Sequence, residues 1–114
     1  MVGKLGTVMI GVGDVDRSAA FYGDVLGLEI QRHGDEWAQA DAGGAVIGLH
    51  RSDNVQTAGA FALIFDVDDV GESFRAVTGR GAEAVEEPHE QPYGEIATVR
   101  DPDGYSVQLF RSAY

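Results

Sequence analysis

Val12, Asp14, Val15 and Ser18 recur as Val67, Asp69, Val70 and Ser73, a constant offset of 55 residues. Near the other end Ile47, Leu49, Arg51 and Ser52 reappear as Val107, Leu109, Arg111 and Ser112, at an offset of 60. A repeat of this length means one small supersecondary unit used twice, and it constrains the fold more than any other feature. The growth of the offset predicts a five-residue insertion in the second copy, expected in a loop through Glu86, Glu87, Pro88, His89, Glu90, Gln91 and Pro92. The copies are expected to span about 5–52 and about 60–112 within one domain of 114 residues.

Each copy reads as strand, helix and then three strands. Thr7 to Val12 is a short apolar run with β-branched residues, closed by Gly13 and Asp14, and predicts a strand. Asp14 or Asp16 can then cap a helix on which Val15, Ala19, Phe21, Tyr22, Val25 and Leu26 follow at helical spacing, with Gly27 just past its end. Strands are expected at Leu28 to His33, Trp37 to Asp41 and Ala45 to Arg51, separated by glycine-containing turns. In the second copy the strand is Phe61 to Val67, the cap Asp68 or Asp69, and the helix runs from Val70 to Gly79 or Gly81. Strands near Glu83 to Glu86, Ile96 to Arg100 and Tyr105 to Phe110 complete it. Asp101-Pro102-Asp103-Gly104 predicts a tight turn, because Pro102 presets its own φ and Gly104 tolerates a positive one. The fold class is therefore α+β, built from two tandem βαβββ units.

Charge and composition exclude several function classes. Eight Lys plus Arg against nineteen Asp plus Glu give a net charge of −11, which repels a nucleic-acid backbone or an anionic membrane surface. With no Cys there is no disulfide, no thiolate nucleophile and no Cys-ligated metal. Gly11-Val12-Gly13 fails as a dinucleotide loop because Asp16 stands where the third Gly belongs. Asp66, Asp68, Val70 and Gly71 fail as a calcium loop because Val70 cannot ligate. The stretch from Met1 to Gly6 shows no signal-peptide pattern, so a cytoplasmic location is expected, with no nucleic-acid or membrane partner.

Val12-Gly13-Asp14, then Ser18, Phe21, Tyr22 and Leu26-Gly27-Leu28, and later Gln91-Pro92-Tyr93-Gly94 before Asp101-Pro102-Asp103-Gly104, resemble the vicinal oxygen chelate superfamily. Its members include glyoxalase I, the bleomycin-resistance proteins and extradiol dioxygenases, and the likeness covers nearly the whole chain. The resemblance implies that each unit curls its sheet into a half-cup and that short chains form homodimers. It also implies that metal-dependent members place His or Glu at positions that fall here on Thr7, Gly48, Ala62 and Gln108. A hydroxyl, a hydrogen, a methyl and an amide are a poor set for a divalent ion, so no metal and no cofactor are expected.

If these four positions face the hollow side of the sheets, alternation places Met9, His50, Ile64 and Phe110 there too, and sends Val8, Ile10, Ile47, Leu49, Leu63, Phe65, Val107 and Leu109 toward the helices. His50 then serves as a structural side chain, a ligand contact or a general base. His33 and His89 read as solvated. Trp37 is either a core residue or a stacking platform, and Tyr93 stands where bleomycin-resistance-type proteins present an aromatic.

The function this supports is metal-free sequestration of a small neutral or cationic, partly aromatic molecule, antibiotic-like or a metabolite. Thr7, Met9, Trp37, Gly48, His50, Ala62, Tyr93, Gln108 and Phe110 are the expected ligand-binding residues. The alternative is a lyase, isomerase or dioxygenase of the same superfamily, using His50 as base or an unusual metal set such as His50, Gln108 and a carboxylate. A third class, a protein-interaction module, would leave the hollow vestigial.

Overall fold

The computed structural model describes residues 1–55 and 61–114, and the expected start of the second copy at residue 60 lies outside them. The chain divides into two compact units, Met1–Gln56 and Thr57–Tyr114. In the first, β1 (Thr7–Val12) leads into α1 (Val15–Ala20), followed by β2 (Glu29–Arg32), β3 (Trp37–Asp41) and β4 (Val46–Arg51). The second repeats this with β5 (Ala62–Asp66), α2 (Val70–Gly79), β6 (Glu83–Gln91), β7 (Gly94–Arg100) and β8 (Ser106–Ser112). The sheets have equivalent orders, β1-β4-β3-β2 and β5-β8-β7-β6, each with one parallel pair, β1 with β4 and β5 with β8. Two tandem βαβββ units are thus the observed architecture.

Helix starts repeat as well. Asp14 and Asp69 are the caps, each in extended conformation, and their carboxylates accept from the backbone N–H of Arg17 at 3.0 Å and of Glu72 at 2.9 Å. These bonds satisfy donors that the first helical turn leaves without partners. After Ala20 the first helix widens into a π-type turn over Phe21–Val25, which keeps Phe21 and Tyr22 buried. Gly27 and Gly81 then reverse the chain with φ of 81° and 107°.

Each helix covers one face of its own sheet. The residues pointing to that face supply most of the core: Ile10, Val12, Ala38, Ala40, Ile47 and Leu49 in the first unit, and Leu63, Ala97, Val99, Val107 and Leu109 in the second. The other face of each sheet, here called open, carries the opposite parity, and Met9 and Ile64 on it are 56% and 58% exposed.

The expected loop from Glu86 to Pro92 is instead mostly strand. β6 runs to Gln91, and only Pro92 and Tyr93 turn the chain into β7. Register irregularities between Ala84 and Glu86 and between Glu86 and His89 absorb extra residues as bulges. Pro88 falls in the second irregularity, on the edge strand of the sheet, where a missing N–H breaks no ladder. His89 accordingly sits in a strand and is half buried, its Nδ1 2.8 Å from the carbonyl oxygen of Glu87.

The Asp101 turn forms as the sequence predicts. Gly104 N–H donates to Asp101 O, and the buried Asp101 carboxylate accepts from the N–H groups of Asp103 and Tyr105, both at 2.9 Å. Among the described residues no helix is long and apolar enough to cross a membrane.

Candidate functional site

Strand pairing sorts the open face of the first sheet into rows. Thr7 pairs with Val46, Val46 with Asp41, and Asp41 with Glu29. The next row is Met9, Gly48, Gln39 and Gln31. Beyond it Gly11 pairs with His50 and His50 with Trp37, whose backbone carbonyl accepts from His33 N–H at 3.1 Å. Five of the expected ligand-binding residues, Thr7, Met9, Trp37, Gly48 and His50, therefore share one surface.

Trp37 is half buried and stands on the open face rather than in the helix-side core. Its indole stacks on the His33 imidazole, ring centres 4.3 Å apart and planes 19° from parallel. His33 Nε2 lies 2.5 Å from Gln39 Oε1. His33 is exposed, as expected of a solvated surface residue, and it also stacks on the aromatic row through Trp37. Its place beside a turn glycine hid this, although its alternation with Trp37 across the hairpin carried the signal.

On the open face of the second sheet Ala62 pairs with Ser106, Ile64 with Gln108 and Asp66 with Phe110. Gln108 pairs with Thr98 and Thr98 with Glu86. A polar chain crosses these strands: Gln108 Nε2 donates to Thr98 Oγ1 at 3.5 Å, and that hydroxyl donates to Glu86 Oε1 at 3.3 Å. Tyr93, 49% exposed at the β6–β7 turn, has its ring centre 6.0 Å from that of Phe110. Ala62, Gln108, Phe110 and Tyr93 thus belong to this second surface.

The chain matches the glyoxalase/bleomycin resistance protein/dioxygenase superfamily over residues 4–109. It belongs to that superfamily. A probable lactoylglutathione lyase of Synechocystis is 33% identical over 121 residues, covering 92% of each chain. Among solved structures, TnmS3, an antibiotic binding protein from Streptomyces, superposes with a TM-score of 0.83 at 23% identity, covering 98% of each chain. A lactoylglutathione lyase from Agrobacterium tumefaciens gives 0.78 at 22% identity, covering 96% of this chain and 94% of its own. At these identities the structural likeness is one of fold.

The superfamily's metal-dependent members raise the question whether Thr7, Gly48, Ala62 and Gln108 fit a metal. They do not. Gly48 and Ala62 offer no donor atom, Thr7 offers an alcohol, and the Gln108 amide is turned into the chain to Thr98 and Glu86. At Gly48 the space is also taken, since a Cβ there would meet Met9 Sδ at 2.7 Å and Cε at 2.9 Å. Among the described residues no three His, Cys, Asp or Glu side chains group as ligands. The alternative set fares no better, because the strand neighbours of His50 are Gly11 and Trp37 and supply no carboxylate.

Proposed function

We propose that this superfamily member is a metal-independent binding protein for a small, partly aromatic molecule that is neutral or cationic. The observation that carries the reading is the Met9 side chain lying over Gly48. Where a metal-dependent relative would aim a ligand from β4, this chain has an apolar thioether packed on a bare backbone. The open face of the first sheet then offers an exposed Met, an indole with one flank held by His33, and His50 beside it, a mixture of apolar area and a few polar groups suited to a flat ligand. The shared fold with an antibiotic binding protein supports the same class.

Elemental analysis and ligand titration test this together. The purified protein is expected to carry no stoichiometric zinc, nickel, iron or manganese and to keep its melting temperature in EDTA. A planar aromatic cation is expected to quench Trp37 fluorescence and raise the melting temperature, and Trp37→Ala to weaken binding by about 0.5 to 2 kcal/mol while the domain stays folded. One metal per chain with stability lost in EDTA overturns the proposal. If Trp37→Ala unfolds the domain and leaves affinity per folded molecule unchanged, the indole is not the platform.

The names of the curated relatives favour a second reading, a lyase acting on a glutathione adduct. Lactoylglutathione formation, assayed with and without added nickel or zinc, decides it. Turnover above background in either condition would establish the lyase and displace the binding role.

A further inference from the structure

Trp37 is the single Trp of the chain, and the His33 imidazole lies against one flank of its indole, ring centres 4.3 Å apart and planes 19° from parallel. The hairpin provides this placement. His33 N–H donates to Trp37 O at 3.1 Å, and Gly34 turns the chain just beyond with a φ of 102°. His33 is anchored in its turn, since its Nε2 lies 2.5 Å from Gln39 Oε1. An indole on an open sheet face is otherwise able to turn about its side-chain bonds, so a fixed ring against it sets the pose in which a ligand meets it.

The same hydrogen bond fixes the state of the imidazole. A carbonyl oxygen only accepts, so Nε2 carries the proton of this bond, and Nδ1 is the bare nitrogen of the neutral ring. Histidine is the side chain whose charge ordinarily changes between pH 5 and 8. A proton taken up at Nδ1 leaves the bond to Gln39 in place and adds a positive charge to the flank of the indole. An imidazolium on an indole face is a favourable cation–π pair, so the charged ring stays where the neutral one was. The charged neighbours are engaged or set apart. Arg32 is bound by Asp16 of α1 and donates to Gly34 O, and Arg51 of β4 pairs with Asp53. Asp35 and Glu36 belong to the hairpin turn, and Glu29 and Asp41 lie two rows away along β2 and β3. On the open face the titratable group nearest in register is His50, opposite Trp37 on β4.

We propose that His33 is the positioning residue of the Trp37 platform and that its protonation weakens the binding of cations there. The inference rests on the binding reading above and adds the regulation of that site. With His33 neutral, a flat cation stacked on the other flank of the indole meets the full negative face of the ring. With His33 charged, two cations share one indole about 9 Å apart, and the imidazolium already draws on its electron density. At a partly exposed site this repulsion lowers the affinity of the cation about threefold, while a neutral ring of the same shape loses nothing.

The test uses N-methylquinolinium, whose charge does not change with pH, against the neutral N-methylquinolone, each titrated at pH 8 and pH 5 with Trp37 emission as the readout. The wild type is expected to bind the quinolinium about threefold more weakly at pH 5, by a factor that shrinks in added salt, and the quinolone equally at both. His33→Phe keeps a ring against the indole without a titratable charge; it is expected to retain the affinity seen at pH 8 and to lose the pH effect. His33→Ala is expected to bind both probes more weakly at either pH, and circular dichroism checks that both variants are folded. His50→Gln is expected to keep the ratio between the two pH values. Emission without any ligand tests the stack separately: an imidazolium in contact quenches an indole, so acid is expected to dim the wild type and not His33→Phe. The proposal is overturned by a pH effect that His33→Phe keeps in full or that His50→Gln abolishes, by His33→Ala binding like the wild type, or by wild-type emission that acid does not dim. Quinolinium quenching that is equal at both pH values overturns it and leaves the platform standing, whereas no quenching by either probe at either pH removes the platform reading and the proposal together.

Discussion

Asp101 shows how much of a small fold can hang on one side chain. It is 5% exposed, and its carboxylate accepts from two backbone N–H groups of the turn that starts β8, while its own N–H donates to Tyr105 O at 3.0 Å. Removing the carboxylate leaves two amides short of an acceptor in a place water reaches poorly, a cost of about 1–3 kcal/mol. Asp101→Ala is expected to lower the unfolding free energy measured in urea by that amount and Asp101→Asn, which keeps one acceptor oxygen, by clearly less. Equal losses would show that the charge rather than hydrogen bonding holds the turn. Gly94 is a second such position. Its φ is 149° and a Cβ there would come within 2.2 Å of Arg111 O, so β7 can pass β8 at this point only without a side chain.

At the scale of elements, the repeat is visible in the way each helix begins. Asp14 and Asp69 occupy equivalent places and make equivalent bonds. Asp14→Ala and Asp69→Ala are each expected to cost about 1 kcal/mol, and about twice that together, as for caps that act independently, each within its own helix. Equilibrium denaturation of the two single variants and the double variant checks this. A double loss far from the sum would mean that the two helices share a stabilising contact. The hairpins break the symmetry. β2 pairs regularly with β3, whereas β6 takes up its extra length as irregularities around Pro88, which an edge strand accommodates because its outer N–H groups face no partner.

For the whole molecule the open faces matter most. Met9 and Ile64 are more than half exposed in the isolated chain, one on each sheet, and a domain of 114 residues buries little enough surface that covering them would add usefully to its stability. We expect a homodimer in solution, and sedimentation at micromolar concentration checks it; a strict monomer would mean that the open faces need no second chain. The charge of −11 is a property of the same scale. It favours approach of cations over anions by an amount that fades with salt.

The sequence by itself determined most of the strands, both helices and which face each strand turns to the core, and narrowed each helix cap to two aspartates, because these follow from local spacing. Period-two alternation separates Ile47 and Leu49 from Gly48 and His50, an acidic residue before a helical pattern starts a helix, and Pro-Asp-Gly after an aspartate makes a turn. It also carried the repeat and the motif residues that resemble the superfamily. Tertiary structure alone decided which strands pair and in what register. Pairing sets Glu29 against Asp41, brings His33 onto Trp37, and lays Met9 over Gly48, contacts between residues separated by loops whose geometry no local pattern specifies. The loop expected around Pro88 failed for the same reason. Proline forbids a ladder hydrogen bond only where a partner strand would receive it, and whether one stands there is a fact of the assembled sheet.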